Sequence, residues 1–276
     1  FVGVGSDDVL AMSFLTFFNS DKPILFPDIT YSFYDVWAEL FRIPYKQMPL
    51  DENYRLKIDD YKGENGGIVF PNPNAPTGIY ESLEHVEEII KNNPDVIVIV
   101  DEAYIDFGGE TALPLINKYD NLVVVRTFSK SRSMAGLRIG YAISNSELIK
   151  ALNDVKYSYN SYTMNRPSLV LGVESIRDEA YFREKVGQII ATRERFVKEI
   201  AELGFTCLPS SANFVFATHE SIPAKEIFAA AKENNIYVRY FDKPRIDNYL
   251  RISIGTDAEM DAFVAFLKGY IETKQN

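Results

Sequence analysis

Apolar positions along this chain change their period several times, and each change marks an element. Residues 9–18 are apolar at helical spacing and follow a Gly-Ser-Asp turn, which predicts a helix with Ser6 or Asp7 as its cap. A short apolar run at 23–27 reads as a strand, and 34–42 as an amphipathic helix. Residues 67–71 predict another strand, and 82–92 a helix with Glu and Lys on its wet face. The runs at 95–101 (DVIVIVD) and 121–126 (NLVVVR) are continuously apolar, as expected of strands buried on both faces, and 138–144 reads as a further strand. Strands alternating with helices in this way predict an α/β fold, a mainly parallel sheet flanked by helices.

The pattern changes after about residue 155. A long charged helix is expected over 177–203, then an apolar strand at 214–217 and a helix over 222–234. Strand-like pieces at 236–240 and 249–254 precede a last helix over 257–271. The expected division is therefore a large α/β domain over 1–160 and a smaller α+β domain over 161–276. The chain opens on Phe1-Val-Gly-Val-Gly, a strand end running straight into a helix. Such a start is read as that of a chain lacking an N-terminal segment.

Composition narrows the classes of function. The 19 Phe and 17 Tyr exclude global disorder, and a net charge of −10 argues against general nucleic-acid binding. No apolar run reaches the roughly 18–20 residues of a membrane span. One cysteine, Cys207, excludes an internal disulfide framework, and with two histidines it leaves no usual set of zinc ligands, so no metal is expected. Nothing at the start resembles a signal peptide, so the cytoplasm is the expected compartment.

Three segments fall at the C-terminal ends of predicted strands, where open α/β sheets bind ligands. They are Pro71-Asn-Pro-Asn-Ala-Pro-Thr-Gly78, Val100-Asp-Glu-Ala-Tyr104 and Thr127-Phe-Ser-Lys130, the last followed by Arg138 within AGLRIG. Taken singly, each has an ordinary explanation: a turn, a helix cap, a solvated basic residue. Taken as an ordered set at one sheet edge, they suit one ligand. A lysine amine that has lost its proton can capture a carbonyl, and an aspartate closing a buried strand can hold a proton on a heterocyclic nitrogen. Ser129 and Arg138 can bind a phosphate, while Tyr104 and an Asn can donate to a phenolate-type oxygen. Pyridoxal phosphate presents all of these groups.

These motifs, together with GSDDVL at 5–10, FPDITYSFY at 26–34, ANFVFA at 212–217 and LRISIGT at 250–256, resemble the fold type I aminotransferases. Within them the chain is most similar to the histidinol-phosphate aminotransferase family, and the similarity runs over its whole length. The resemblance implies that Lys130 bonds the cofactor and moves a proton between substrate Cα and cofactor C4′, that Asp101 pairs with the ring nitrogen, and that Tyr104 bonds the ring O3′. It implies Tyr31 stacked on the ring, and Ser129, Arg138 and Thr127 on the phosphate, with Ser6 and Asp7 adding backbone N–H groups at a helix start. The family often has Asn directly before Pro-Thr-Gly; here that position is Ala75, and Asn74 is the expected substitute, with Asn72 the alternative.

On the substrate side, the resemblance implies that Arg251, Arg239 and Asn213 bind L-histidinol phosphate and 2-oxoglutarate in histidine biosynthesis. It also implies a homodimer. An aromatic aminotransferase or a threonine-phosphate decarboxylase of the same fold is the alternative activity. A non-catalytic α/β binding domain is the contrasting class, against which an intact Lys130 argues.

Overall fold

Continuous apolar runs can be buried on both faces only inside a helix-covered sheet, and the computed structural model, which describes residues 1–275, has that arrangement. Its elements are β1 (Val2–Gly3), α1 (Ser6–Phe17), β2 (Ile24–Pro27), α2 (Tyr34–Phe41), β3 (Tyr45–Met48), β4 (Ile68–Pro71), α3 (Leu83–Lys91), β5 (Val98–Asp101), β6 (Leu122–Thr127), β7 (Gly140–Ile143), α4 (Ser146–Tyr159), α5 (Arg166–Arg177) and α6 (Glu179–Ala201). Then come β8 (Phe205–Cys207), β9 (Phe214–His219), α7 (Ala224–Glu233), β10 (Arg239–Tyr240), β11 (Leu250–Ser253) and α8 (Asp257–Gln275).

The larger sheet has the order β1-β7-β6-β5-β4-β2-β3. Strands β3, β2, β4, β5 and β6 run parallel, while β7 lies antiparallel to β6, and β1 antiparallel to β7. The strand expected at 138–144 is thus a reversed one. It returns directly from the loop after β6 without a crossover helix, which only antiparallel pairing permits. One face of the sheet packs Val69, Ile99, Val123 and Val125 against α1, α2 and α4; the other packs Phe70, Val98, Val100 and Val124 against α3. A second, antiparallel sheet, β10-β11-β9-β8, has its own core with α6, α7 and α8.

Helix starts differ from expectation at one informative place. Neither Ser6 nor Asp7 caps α1: both lie inside it, and the cap position is Gly5 at φ 98°, with no side-chain hydrogen bond to the first turn. Elsewhere the caps follow the sequence, as where the Ser82 hydroxyl accepts from the His85 N–H at the start of α3. Elements without a predicted span include β3, whose residues Lys46 and Gln47 are exposed, the short β8, and α4 and α5, which occupy the stretch before the long charged helix. Helix α5 leans on the larger sheet's loops, its Ser168 hydroxyl donating to the Leu137 carbonyl.

Candidate active site

The C-terminal ends of β4, β5 and β6 lie side by side, with Pro71 opposite Asp101 and Asp101 opposite Val125 in the ladder. A cavity of about 170 Å³ opens there, lined from α1 by Ser6 and Asp7, from the approach to α2 by Tyr31, and from the strand ends by Asp101, Tyr104, Ser129, Lys130 and Arg138. Of the residues expected to hold the cofactor, all but Asn74 and Thr127 line it.

Asp101 closes β5 and is almost wholly buried. Burial pushes its carboxyl up to about 6, against the downward pull of hydrogen bonds to both oxygens. The Tyr34 hydroxyl donates to Oδ2 at 3.1 Å, and the Ala103 N–H donates to Oδ1 at 3.1 Å. Lys130 reaches over Tyr104, its Nζ 5.2 Å from the ring centroid. The loop carrying Lys130 is tied to the loop carrying Tyr104, because the Ser131 hydroxyl donates to Asp106 at 2.5 Å.

At the other end of the cavity the first turn of α1 points unpaired N–H groups outward, since Gly5 offers no capping side chain. Gly5 also makes room: a Cβ there would lie 2.3 Å from the Arg138 guanidinium. Gly140 has the same function on the opposite side, where a Cβ would meet the Gly5–Ser6 backbone at 2.2–2.3 Å. Arg138 itself has φ 52°, and its Nη2 lies 3.7 Å from the Asp7 carboxylate, which also accepts from the Tyr31 hydroxyl at 2.9 Å. A bare helix N-terminus, two glycines held free of side chains, a serine and an arginine could together hold a phosphate.

Two expected contacts need correction. The Asn74 amide donates to the Ile29 carbonyl and the Thr77 hydroxyl, each at 3.0 Å, so both of its hydrogens bind the loop to itself and to its neighbour. Asn72 is likewise engaged with the Glu81 backbone. Ala75 is the residue of this loop that faces the cavity, beside Pro71, and Tyr104 is the side chain left to donate to a phenolate oxygen there. Thr127 points away as well: its hydroxyl donates to the Ile139 carbonyl and accepts the Ser129 N–H, shaping the loop that presents Ser129.

Of the three residues expected on the substrate side, Arg239 and Arg251 lie in the second sheet and Asn213 in the bend just before β9, all outside this cavity's lining. Arg251 on β11 is directly opposite Arg239 on β10. Like charges facing one another across a strand pair repel unless an anion lies between them. The Arg251 guanidinium is 5.3 Å from the Phe214 ring, and Phe214 meets Tyr104 edge-on at 5.1 Å, so one aromatic ring separates Arg251 from the cavity wall. Asn213, next to Phe214, is half-buried and accepts the Ile254 N–H through its carbonyl. Tyr34 went unanticipated, since its apolar neighbours disguise it as one more core aromatic. The available signal was its hydroxyl, which must find a partner when the ring is buried.

An amine at one strand mouth, a buried carboxylate at the next and a phosphate cradle at the far end match the reactive carbonyl, ring nitrogen and phosphate of a single small molecule. A mostly parallel sheet that offers these groups at its C-terminal edge defines the fold type I class of pyridoxal-phosphate enzymes. The chain belongs to the aminotransferase class I and II family, which matches residues 1–267, and its cofactor is pyridoxal 5′-phosphate. It is 52% identical over 274 residues to the histidinol-phosphate aminotransferase of Lactococcus lactis subsp. lactis, covering 99% of this chain and 76% of that one. In fold it is similar to the histidinol-phosphate aminotransferase of Clostridium acetobutylicum (TM-score 0.91, 24% identity, 99% of this chain and 84% of that one). It is also similar to that of Sinorhizobium meliloti in complex with pyridoxal-5′-phosphate (TM-score 0.87, 23% identity, 99% and 76%).

Proposed function

We propose that this aminotransferase moves an amino group between L-histidinol phosphate and 2-oxoglutarate. The observation that carries the substrate class is the facing pair Arg251 and Arg239, one aromatic ring away from the cavity. Two guanidinium groups suit a phosphate dianion, and either alone suffices for a carboxylate. Identity of 52% to a histidinol-phosphate aminotransferase supports the choice of phosphorylated donor.

When bound, pyridoxal phosphate supplies a carbonyl that takes up the donor's nitrogen and a ring that accepts electrons from its Cα. The chain's residues do the rest. Lys130 carries the proton between Cα and C4′. Asp101 holds the ring nitrogen protonated, a charge pair worth about 4 kcal/mol at 4 Å and an effective dielectric near 20. Tyr104 donates to O3′, Tyr31 covers the ring face, and Ser129, Arg138 and the α1 N–H groups at Ser6 and Asp7 hold the phosphate. Thr127 contributes through the Ser129 loop. Asn213 lines the substrate side next to Phe214.

The active form is proposed to be a cytoplasmic homodimer. Helix α5 supports this reading, with Leu169, Val170, Val173 and Ile176 about half exposed, a surface suited to a second copy. Among the described residues no helix is long and apolar enough to cross a membrane. A steady-state comparison of histidinol phosphate with phenylalanine, each with 2-oxoglutarate, tests the assignment. A kcat/KM for histidinol phosphate at least 100-fold higher is expected. Parity, or preference for phenylalanine, would move the assignment to an aromatic aminotransferase of the same fold.

A further inference from the structure

We propose that Tyr34 is a positioning residue for Asp101, its hydroxyl fixing which way the carboxylate faces and helping keep it negative. The proposal rests on the reading that Asp101 faces the cofactor's ring nitrogen. Tyr34 is fully buried, and its hydroxyl reaches Asp101 Oδ2 from 67 residues away in sequence at 3.1 Å. Its ring is held in place by Phe14, Phe26, Tyr31 and Trp37, at centroid separations of 5.8–6.2 Å. Such packing leaves the hydroxyl one direction to point.

The geometry divides the carboxylate's work. Each oxygen spends one lone pair on a donor of the protein, Oδ1 on the Ala103 N–H and Oδ2 on the Tyr34 hydroxyl. The remaining lone pairs are free for a cationic N–H from the cavity, which Asp101 lines. Tyr31, in the approach to α2, and Tyr34, its first residue, divide the site between them. The Tyr31 ring lines the cavity and its hydroxyl goes to Asp7, while the Tyr34 ring is buried and its hydroxyl goes to Asp101.

Other charged groups near Asp101 do not substitute for this bond. Asp7 on α1 opposes the negative charge and Lys130 favours it, while burial opposes it most. Burial and the neighbouring Asp101 both push the Tyr34 hydroxyl's own pKa upward, so it remains a proton donor throughout the working range. A hydrogen bond to a charged group contributes enough to shift a proton equilibrium by about tenfold or more.

The test uses the holoenzyme loaded with cofactor labelled with ¹⁵N in its ring, and compares wild type with Tyr34→Phe. The nitrogen's chemical shift reports its protonation independently of turnover or substrate. In Tyr34→Phe the carboxylate loses a donor, becomes more basic and draws the shared proton, so the ¹⁵N shift at neutral pH should move toward that of an unprotonated ring, with kcat lowered about tenfold and the donor KM little changed. In an Asp101→Asn background, Tyr34→Phe should add nothing further. Should Tyr34→Phe fail to fold, 3-fluorotyrosine placed at 34, a stronger donor of nearly the same shape, should move the ¹⁵N shift the other way, toward a fully protonated ring. An unmoved ¹⁵N shift in either variant, or an additive loss in the Asp101→Asn background, would overturn the proposal. A wild-type chain that takes up no cofactor would overturn the proposed function as well, and so separates the two failures.

Discussion

Asp101→Asn should stabilise the cofactor-free protein above pH 6 and leave it unchanged, relative to wild type, below pH 4. The carboxyl's pKa rises from 3.8 to about 6 on burial, roughly two units, or about 3 kcal/mol at 1.36 kcal/mol per unit. The sign follows from linkage: the unfolded chain gives up the Asp101 proton near 3.8, the folded chain only near 6. Stability is therefore complete below 3.8, declines as pH rises through 6, and carries the whole penalty at pH 7.5. Asparagine does not ionise. Its carbonyl can accept the Ala103 N–H and its amide can donate to the Tyr34 oxygen, the contact a protonated carboxyl would also make, which leaves only the Tyr34 hydroxyl hydrogen to find another acceptor. Thermal melts at pH 7.5 should show the variant roughly 5–10 °C above wild type, and melts at pH 4 should coincide. Adding cofactor should reverse the order at pH 7.5, because only the carboxylate pairs with a protonated ring nitrogen. An offset independent of pH, or a wild type that melts higher at pH 7.5 without cofactor, would refute the reasoning.

Further tests address the other ends of the site. Lys130→Ala should fold normally and lose transamination to below one per cent of wild type by steady-state assay. Arg251→Leu should raise the KM of donor and acceptor alike, by about 30-fold or more, since truncating one partner of a buried charge pair costs roughly 2–5 kcal/mol. Arg239→Leu should penalise the phosphorylated donor more than 2-oxoglutarate; equal losses would remove the second-arginine role. Gly5→Ala should weaken cofactor binding at least tenfold by fluorescence titration, because its φ is 98° and its Cβ would lie 2.3 Å from Arg138. Gly136→Ala, where a Cβ meets nothing within 4 Å, is the matching control and should bind normally.

What could be read from the sequence follows from how local each signal is. The strands β4, β5 and β6 announce themselves, because a parallel strand buried on both faces has no polar alternation to confuse it. Lys130, Asp101 and Arg138 were legible for a related reason: each closes or follows such a strand, and polar groups at that position gather at one edge. The direction of β7 was not legible, since an apolar run looks the same in either orientation. The Asn74 side chain escaped because its partners, Ile29 and Thr77, are set by how loops meet rather than by spacing. Tyr34 escaped because its partner lies 67 residues on. The glycine at 5 shows the converse. A Gly-Ser-Asp turn suggested a side-chain cap, whereas the fold leaves the helix end bare, which is what a phosphate cradle needs.

Which lysine carries the cofactor is the most direct test of the proposed chemistry. Borohydride reduction of the loaded protein, followed by proteolysis and mass spectrometry, reads this directly. A phosphopyridoxyl group is expected on the peptide containing Lys130 and on no other, with the label lost in Lys130→Ala. A label on a different lysine, or none after full loading with cofactor, would contradict it.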